Sequence, residues 1–468
     1  MERRKFIYHT GLLGAGNFLF PSILRAGLKP TFPDVRIPKS ERKFTSPAIE
    51  RVITSVQKSM KDPEMCWLFG NCFPNTLDTT VDFETKNGRP DTYVITGDID
   101  AMWLRDSSAQ VWPYLPFMSD DKNLQQLIKG VINRQVQCIL LDPYANAFYK
   151  DPNKVSEWKK TDHTEMKAGI HERKWEIDSL CYPIRLAYGY WKKTGDISVF
   201  DVEWLEAMKQ VVKTFKEQQR LFNDGPYHFE RTTSWATDGV PLSGYGYPTR
   251  KIGLIHSMFR PSDDATVFPF LIPSNLFALR SLTQLQELLS KLPNYPADLM
   301  ANSASLCKAL SQAIEEYGII QHKEFGKIYA YEVNGFGSYH LMDDANVPSL
   351  LGLPYLNAVK RDDPVYENTR RYVLSSSNPF YFRGTAAEGI GGPHAGMDYI
   401  WPMSIIMRAL TSTDTSETDQ CLQWLKTTHA GTGFMHESFH KDDPSKFTRK
   451  WFAWANTLFG ELVLNHIR

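Results

Sequence analysis

Residues 93–116, YVITGDIDAMWLRDSSAQVWPYLP, gather three acids, one arginine and two tryptophans in one short stretch. Asp98, Asp100 and Asp106 offer hydrogen-bond acceptors, Arg105 a forked donor, and Trp103 and Trp112 flat apolar faces. A pyranose asks for that set: partners for its vicinal hydroxyls and a wall for its C–H face. A purely structural account also fits, with Asp98 or Asp100 capping a helix and Arg105 paired to an acid in the core.

Acids recur in the same kind of setting further along: Asp178 behind Trp175, the adjacent Asp263 and Asp264, Asp343 with Asp344, Glu388 and Asp398, and Glu437. Any one of them is explained by helix capping. Together, beside Trp, Tyr, His and Gly, they match glycoside hydrolysis, in which one carboxylic acid protonates the leaving oxygen and a second carboxylate attacks or activates water. Like-charge repulsion between Asp263 and Asp264 would keep a proton on one of them near neutral pH. Glu437 follows His436 in a glycine-containing loop with room for a water molecule.

The elements that must position these acids are helices. Apolar residues at helical spacing, with start and stop signals, predict them near 45–60, 122–141, 176–191, 202–221, 273–289, 294–317, 343–353, 362–374, 398–409, 416–427 and 450–466. Residues 65–94 read as loop and short strand, and the Lys- and Asp-rich interval up to Arg173 as a solvated loop. Residues 222–258 form a long aromatic loop of the kind that usually carries function, and a hairpin turns at Asn334-Gly335. No shift in composition marks a boundary. The expectation is one all-α domain over 40–468, a toroid of helical hairpins or a solenoid, and a toroid brings loops remote in sequence to one funnel.

Bulk properties narrow the class. The 468 residues carry 53 basic and 53 acidic side chains, so no net field steers nucleic acid or an anionic membrane surface. Arg3-Arg4 ahead of a mildly apolar run makes residues 1–26 resemble a twin-arginine export signal, implying a periplasmic or exported protein. That run contains His9, Asn17 and Pro21, too polar for a membrane anchor. Six cysteines are too sparse for a disulfide scaffold; Cys66 and Cys72 lack the further ligands of a zinc site, and either a local disulfide or buried thiols fits them. No GxSxG elbow or Cys–His signature supports a nucleophilic hydrolase.

The blocks TGDIDAMWLRDSSAQVWPY, FRPSDDATVFPFLIPSN, GFGSYHLMDDANVPSLL and FMHESF, in this order, resemble glycoside hydrolase family 125, the exo-acting α-1,6-mannosidases, over nearly everything after the leader. The resemblance implies an (α/α)6 barrel, removal of non-reducing terminal α-1,6-linked mannose from mannose-containing oligosaccharides, inversion, and no metal or cofactor. It implies a general acid in RPSDDA, with Asp264 favoured and Asp263 the alternative, and Glu437 as general base. Asp100, Arg105 and Asp106 would hold the terminal mannose, with Trp103, Arg260 and His340 as further substrate contacts. Two other readings fit the residues: another (α/α)6 glycosidase, such as a calcium-dependent α-1,2-mannosidase, or a helical glycan-binding protein without catalysis.

Overall fold

The computed structural model describes residues 32–467, so the export signal expected at 1–26 lies outside it. The chain opens with α1 (Pro47–Ser59), capped by the Ser46 hydroxyl and burying Ile49, Ile53 and Val56. It continues through α2 (Pro63–Cys72), α3 (Asn75–Thr79), α4 (Leu104–Val111), α5 (Lys122–Leu141), α6 (Ile177–Thr194) and α7 (Val202–Gln218). After the long loop come α8 (Ile272–Leu289), α9 (Ala297–Ala313), α10 (Pro364–Val373), α11 (Pro402–Leu410), α12 (Thr415–Thr427) and α13 (Ala453–His466).

These helices form two concentric layers. Inside, α4 packs on α6 and α6 on α8, α11 packs on α13, and α13 returns to α4, closing the ring. The sixth inner position is filled by residues 348–358, a run of turns whose flank accepts from the Tyr182 hydroxyl of α6 and whose Tyr355 donates to Glu461 of α13. Outside, α5 packs on α7 and α7 on α9, while α12 packs on α11. Inner helices are buried nearly all round, whereas α7 has one buried and one exposed face. This is an (α/α)6 barrel, and one hydrophobic core runs from Ile49 to Leu464.

Because inner and outer helices alternate, the segments leading into the inner helices all open on one face. They are residues 95–103, 170–176, 255–271, 332–347, 388–401 and 435–452, and they hold nearly every acid singled out above. Short strand pairs stiffen them, including Glu332–Val333 against Tyr339–His340, the hairpin expected at Asn334-Gly335.

Three expectations are corrected. Residues 65–94 are not loop and strand alone: α2 starts at Pro63 with Asp62 accepting from the amides of Glu64 and Met65, and a hairpin, Val81–Lys86 with Arg89–Val94, follows α3. The α2 sequence lacks an amphipathic period because it is buried on most sides. The charged interval before Arg173 is solvated only in part: Asp151, Lys154, Lys159, Lys160 and Lys167 are exposed as expected, but Asp162, Glu172 and Arg173 are buried in ion pairs. Residues 343–353 do not make a regular helix; Pro348 and Pro354 interrupt the amide ladder and leave turns. All six cysteines are free thiols, Cys66 and Cys72 included. Among the described residues no helix is long and apolar enough to cross a membrane.

Candidate active site

Arg105, in the first turn of α4, is the hub of the funnel. Its guanidinium is buried and faces Glu176 at 2.5 Å, Asp178 at 3.2 Å, Asp263 at 3.3 Å and Asp106 at 3.5 Å. These carboxyls come from the head of α4, the entry to α6 and the loop before α8, so three neighbouring inner helices build the cluster. Asp106 also accepts from the Thr96 hydroxyl at 2.6 Å, and Glu176 from Ser179 at 2.9 Å.

Four carboxyls on one guanidinium cannot all be ionised. Burial pushes Glu176 well above the ordinary range, Arg105 opposes it, and Asp178 and Asp263 push it further up. Burial likewise raises Asp178 to about 6 and lifts Asp106, in both cases against the pull of Arg105. The cluster therefore holds protons near neutral pH as a shared property of the group.

The RPSDDA loop is tightly held. Asp263 sits at φ 68°, a left-handed conformation uncommon for a residue with a side chain and frequent at functional sites. Its carbonyl accepts from Lys174 at 2.8 Å, and the Arg260 amide closes the turn by donating to the Asp264 carbonyl at 2.7 Å. The Asp263 side chain is 15% exposed. Asp264 is fully enclosed, neither of its carboxylate oxygens has a hydrogen-bond partner, and His394 Nδ1 lies 3.5 Å from Oδ1. Burial disfavours the His394 imidazolium, but Asp264, then Glu437 and Asp263, outweigh it and raise the imidazole above its usual value.

Glu437 stands on the loop before α13, three steps around the inner ring from α8, and thus faces the RPSDDA loop across the funnel. Thr448 donates to it at 2.9 Å and Arg449 at 3.2 Å; Arg449 also donates to the Thr96 carbonyl at 2.9 Å and pairs with Asp98. His436 turns away from Glu437: it stacks on Phe447 at 4.0 Å, bonds the Arg449 and Lys450 carbonyls, and is driven by burial down to about 4.

Of the other expected contacts, Arg260 and His340 meet on the buried Glu332, at 2.7 and 3.3 Å, and Glu332 also accepts from the Val267 and Phe268 amides. Arg260 is buried and anchors the loop; His340 keeps an accessible ring. Asp100 lies apart from the Arg105 cluster, largely exposed and 3.2 Å from Lys154. Trp103 is 2% exposed, its indole edge-on to His171 at 5.2 Å in a small cluster with Ala101 and Ala147, so its face is not open to the funnel.

Sequence reasoning placed Asp178 among the acids at helix mouths but missed Glu176, Lys174, Glu332, His394 and Arg449 as parts of the site. The only signal for Glu176 was its place in the acid-before-helix pattern with Asp178, and for His394 its glycine-rich surroundings in GGPHAGMD.

Residues 62–464 match the family model described as metal-independent alpha-mannosidase (GH125). The meiotically up-regulated gene 157 protein of Schizosaccharomyces pombe is 43% identical over 452 residues, covering 92% of this chain and 88% of that protein. Among solved structures, a Streptococcus pneumoniae protein from a family of metal-independent alpha mannosidases, in a non-productive complex with alpha-1,6-mannobiose, superposes with a TM-score of 0.87 at 41% identity, covering 91% of this chain and 99% of that one. A bacterial glucoamylase complexed with acarbose, at TM-score 0.52 and 11% identity over 89% of this chain and 57% of its own, shares the fold alone. With the family model spanning most of the chain and the carboxyl-lined funnel in place, the protein belongs to glycoside hydrolase family 125 and is an α-mannosidase.

Proposed function

We propose that the protein is an exo-acting, inverting α-1,6-mannosidase in which Asp263 is the general acid and Glu437 the general base. The observation that carries this reading is the placement of the two loops: the RPSDDA turn before α8 and Glu437 before α13 enter at opposite positions of the six-membered inner ring, the first tied to Arg105 through Asp263 and the second to Arg449. Support for the linkage comes from likeness to the Streptococcus pneumoniae protein bound to alpha-1,6-mannobiose.

Asp106, ordered by Arg105, takes hydroxyls of the terminal mannose, while the fully enclosed Glu176 and Asp178 hold the Arg105 guanidinium from behind. As the glycosidic bond breaks, the acid passes its proton to the leaving oxygen, and Glu437 removes a proton from a water that attacks the anomeric carbon from the opposite face. Water addition from that side yields β-mannose. Asp263 suits the acid role because it reaches the funnel and shares a proton-holding cluster. The unpartnered oxygens of Asp264 favour it as the second candidate, the one preferred from sequence.

The test is a proton NMR time course with α-1,2-, α-1,3- and α-1,6-mannobiose, reading the first-formed anomer. The expected result is β-mannose from the α-1,6 isomer alone. First appearance of α-mannose would rule out the water-activating role of Glu437, and equal cleavage of the other isomers would remove the linkage assignment.

A further inference from the structure

The long loop and the hairpin that border the RPSDDA turn expose large apolar side chains on its outer side. Trp235 is 52% exposed, Val267 43%, Tyr247 50% and Phe336 65%. Such a concentration of exposed apolar surface beside a site calls for an occupant.

Short links on either side tie these residues to the acid-bearing turn. Two residues beyond Trp235, the Thr237 carbonyl accepts from the Ala265 amide at 2.7 Å. The next residue, Asp238, shares the Lys174 ammonium with the Asp263 carbonyl, at 3.1 and 2.8 Å. On the other side, the Val267 amide donates to Glu332 on the hairpin. The loop carrying Tyr247 meets the hairpin turn where the Arg250 amide donates to the Asn334 carbonyl at 2.9 Å; there a Cβ on Gly335 would come within 3.0 Å of Arg250 Cβ. Trp235, the acid turn, Val267, Tyr247 and Phe336 thus follow one another along a single rim.

We propose that this rim is the binding surface for the leaving saccharide, with Trp235 as the platform for the second and third sugars beyond the cleaved bond. The proposal rests on the exo-mannosidase reading. An exo enzyme encloses one terminal sugar, so the rest of the chain must leave on the side of the group that protonates the leaving oxygen. The aromatic arc borders that side. Indole and phenol faces stack on the C–H faces of pyranoses without demanding one linkage or one hydroxyl pattern.

The test compares α-1,6-mannobiose, mannotriose and mannotetraose on the wild type and on Trp235→Ala and Trp235→Phe. The wild type is expected to show KM falling with length. Trp235→Ala should raise KM for the two longer substrates by about three- to tenfold, with kcat and the mannobiose constants unchanged. Trp235→Phe should keep most of the length effect. A wild type with no length dependence overturns the inference while leaving the exo-mannosidase reading intact, and so does a Trp235→Ala loss as large on mannobiose as on mannotetraose. Failure of the wild type to cleave any of the three sinks both together.

Discussion

At Arg105 one positive charge meets four carboxyls, and full ionisation would place more negative charge in a buried site than this guanidinium offsets. A proton retained in that cluster is what a general acid needs, and the assignment of Asp263 is open to a sharp test. In Asp263→Asn, hydrolysis of mannobiose should fall by about a thousandfold, within the usual range for general acid catalysis. A dinitrophenyl α-mannoside, whose leaving group needs no proton, should lose far less. Glu437→Gln should lose comparably on both, because water must be activated whatever departs. If Asp264→Asn instead of Asp263→Asn shows the leaving-group dependence, the acid is Asp264. The acids were legible in the sequence as residue types at helix mouths, but their partners were not. Arg449 reaches the Thr96 carbonyl across 353 positions, and no local pattern encodes a contact at that separation.

At the level of elements, legibility followed amphipathicity. The outer helix α5 was readable to its end residues because it alternates an apolar and a polar face. The buried helix α2 was not, and its only sequence signature was Asp62-Pro63, an N-cap followed by proline at the first helical position. That start does two jobs: the Asp62 carboxylate accepts from two amides of α2 and meets Lys426 of α12 at 2.8 Å. Capping should dominate, since half-exposed ion pairs contribute little. Asp62→Ala is expected to cost about 1 kcal/mol of unfolding free energy in urea, whereas Asp62→Asn, which keeps the cap and drops the charge, should cost a few tenths. Equal losses in the two variants would assign the stabilisation to Lys426 instead.

For the whole molecule, closing a ring of inner helices around a polar funnel buries many acids, and that sets how stability depends on pH. Burial lifts Asp343 to about 8 even though the Leu350 and Leu351 amides donate to its two oxygens at 2.8 and 3.0 Å. Its unfolded value is about 3.9, so between those limits the folded state keeps a proton that the unfolded state has released. Stability then falls as pH rises, by roughly 1.4 kcal/mol per pH unit for one such group. Glu176 and His394, also raised, act in the same direction. The buried His256 and His436, lowered by desolvation to about 3 and about 4, act in the opposite sense, but only below about pH 6.5, where the unfolded imidazoles take up protons. Above that pH they are neutral in both states and the acids decide the sign. The unfolding free energy is therefore expected to decline from pH 6.5 to 8. Asp343→Asn loses one amide acceptor, a cost of about 1 kcal/mol, but escapes the roughly 1.4 kcal/mol per pH unit that the wild type gives up above about pH 3.9. It should therefore be the more stable form at pH 6.5 by about 2 kcal/mol and should decline less steeply to pH 8, by about 2 kcal/mol. Urea titrations at three pH values across that window measure both slopes, and a variant as steep as the wild type would mean that Asp343 is already ionised in the folded ring.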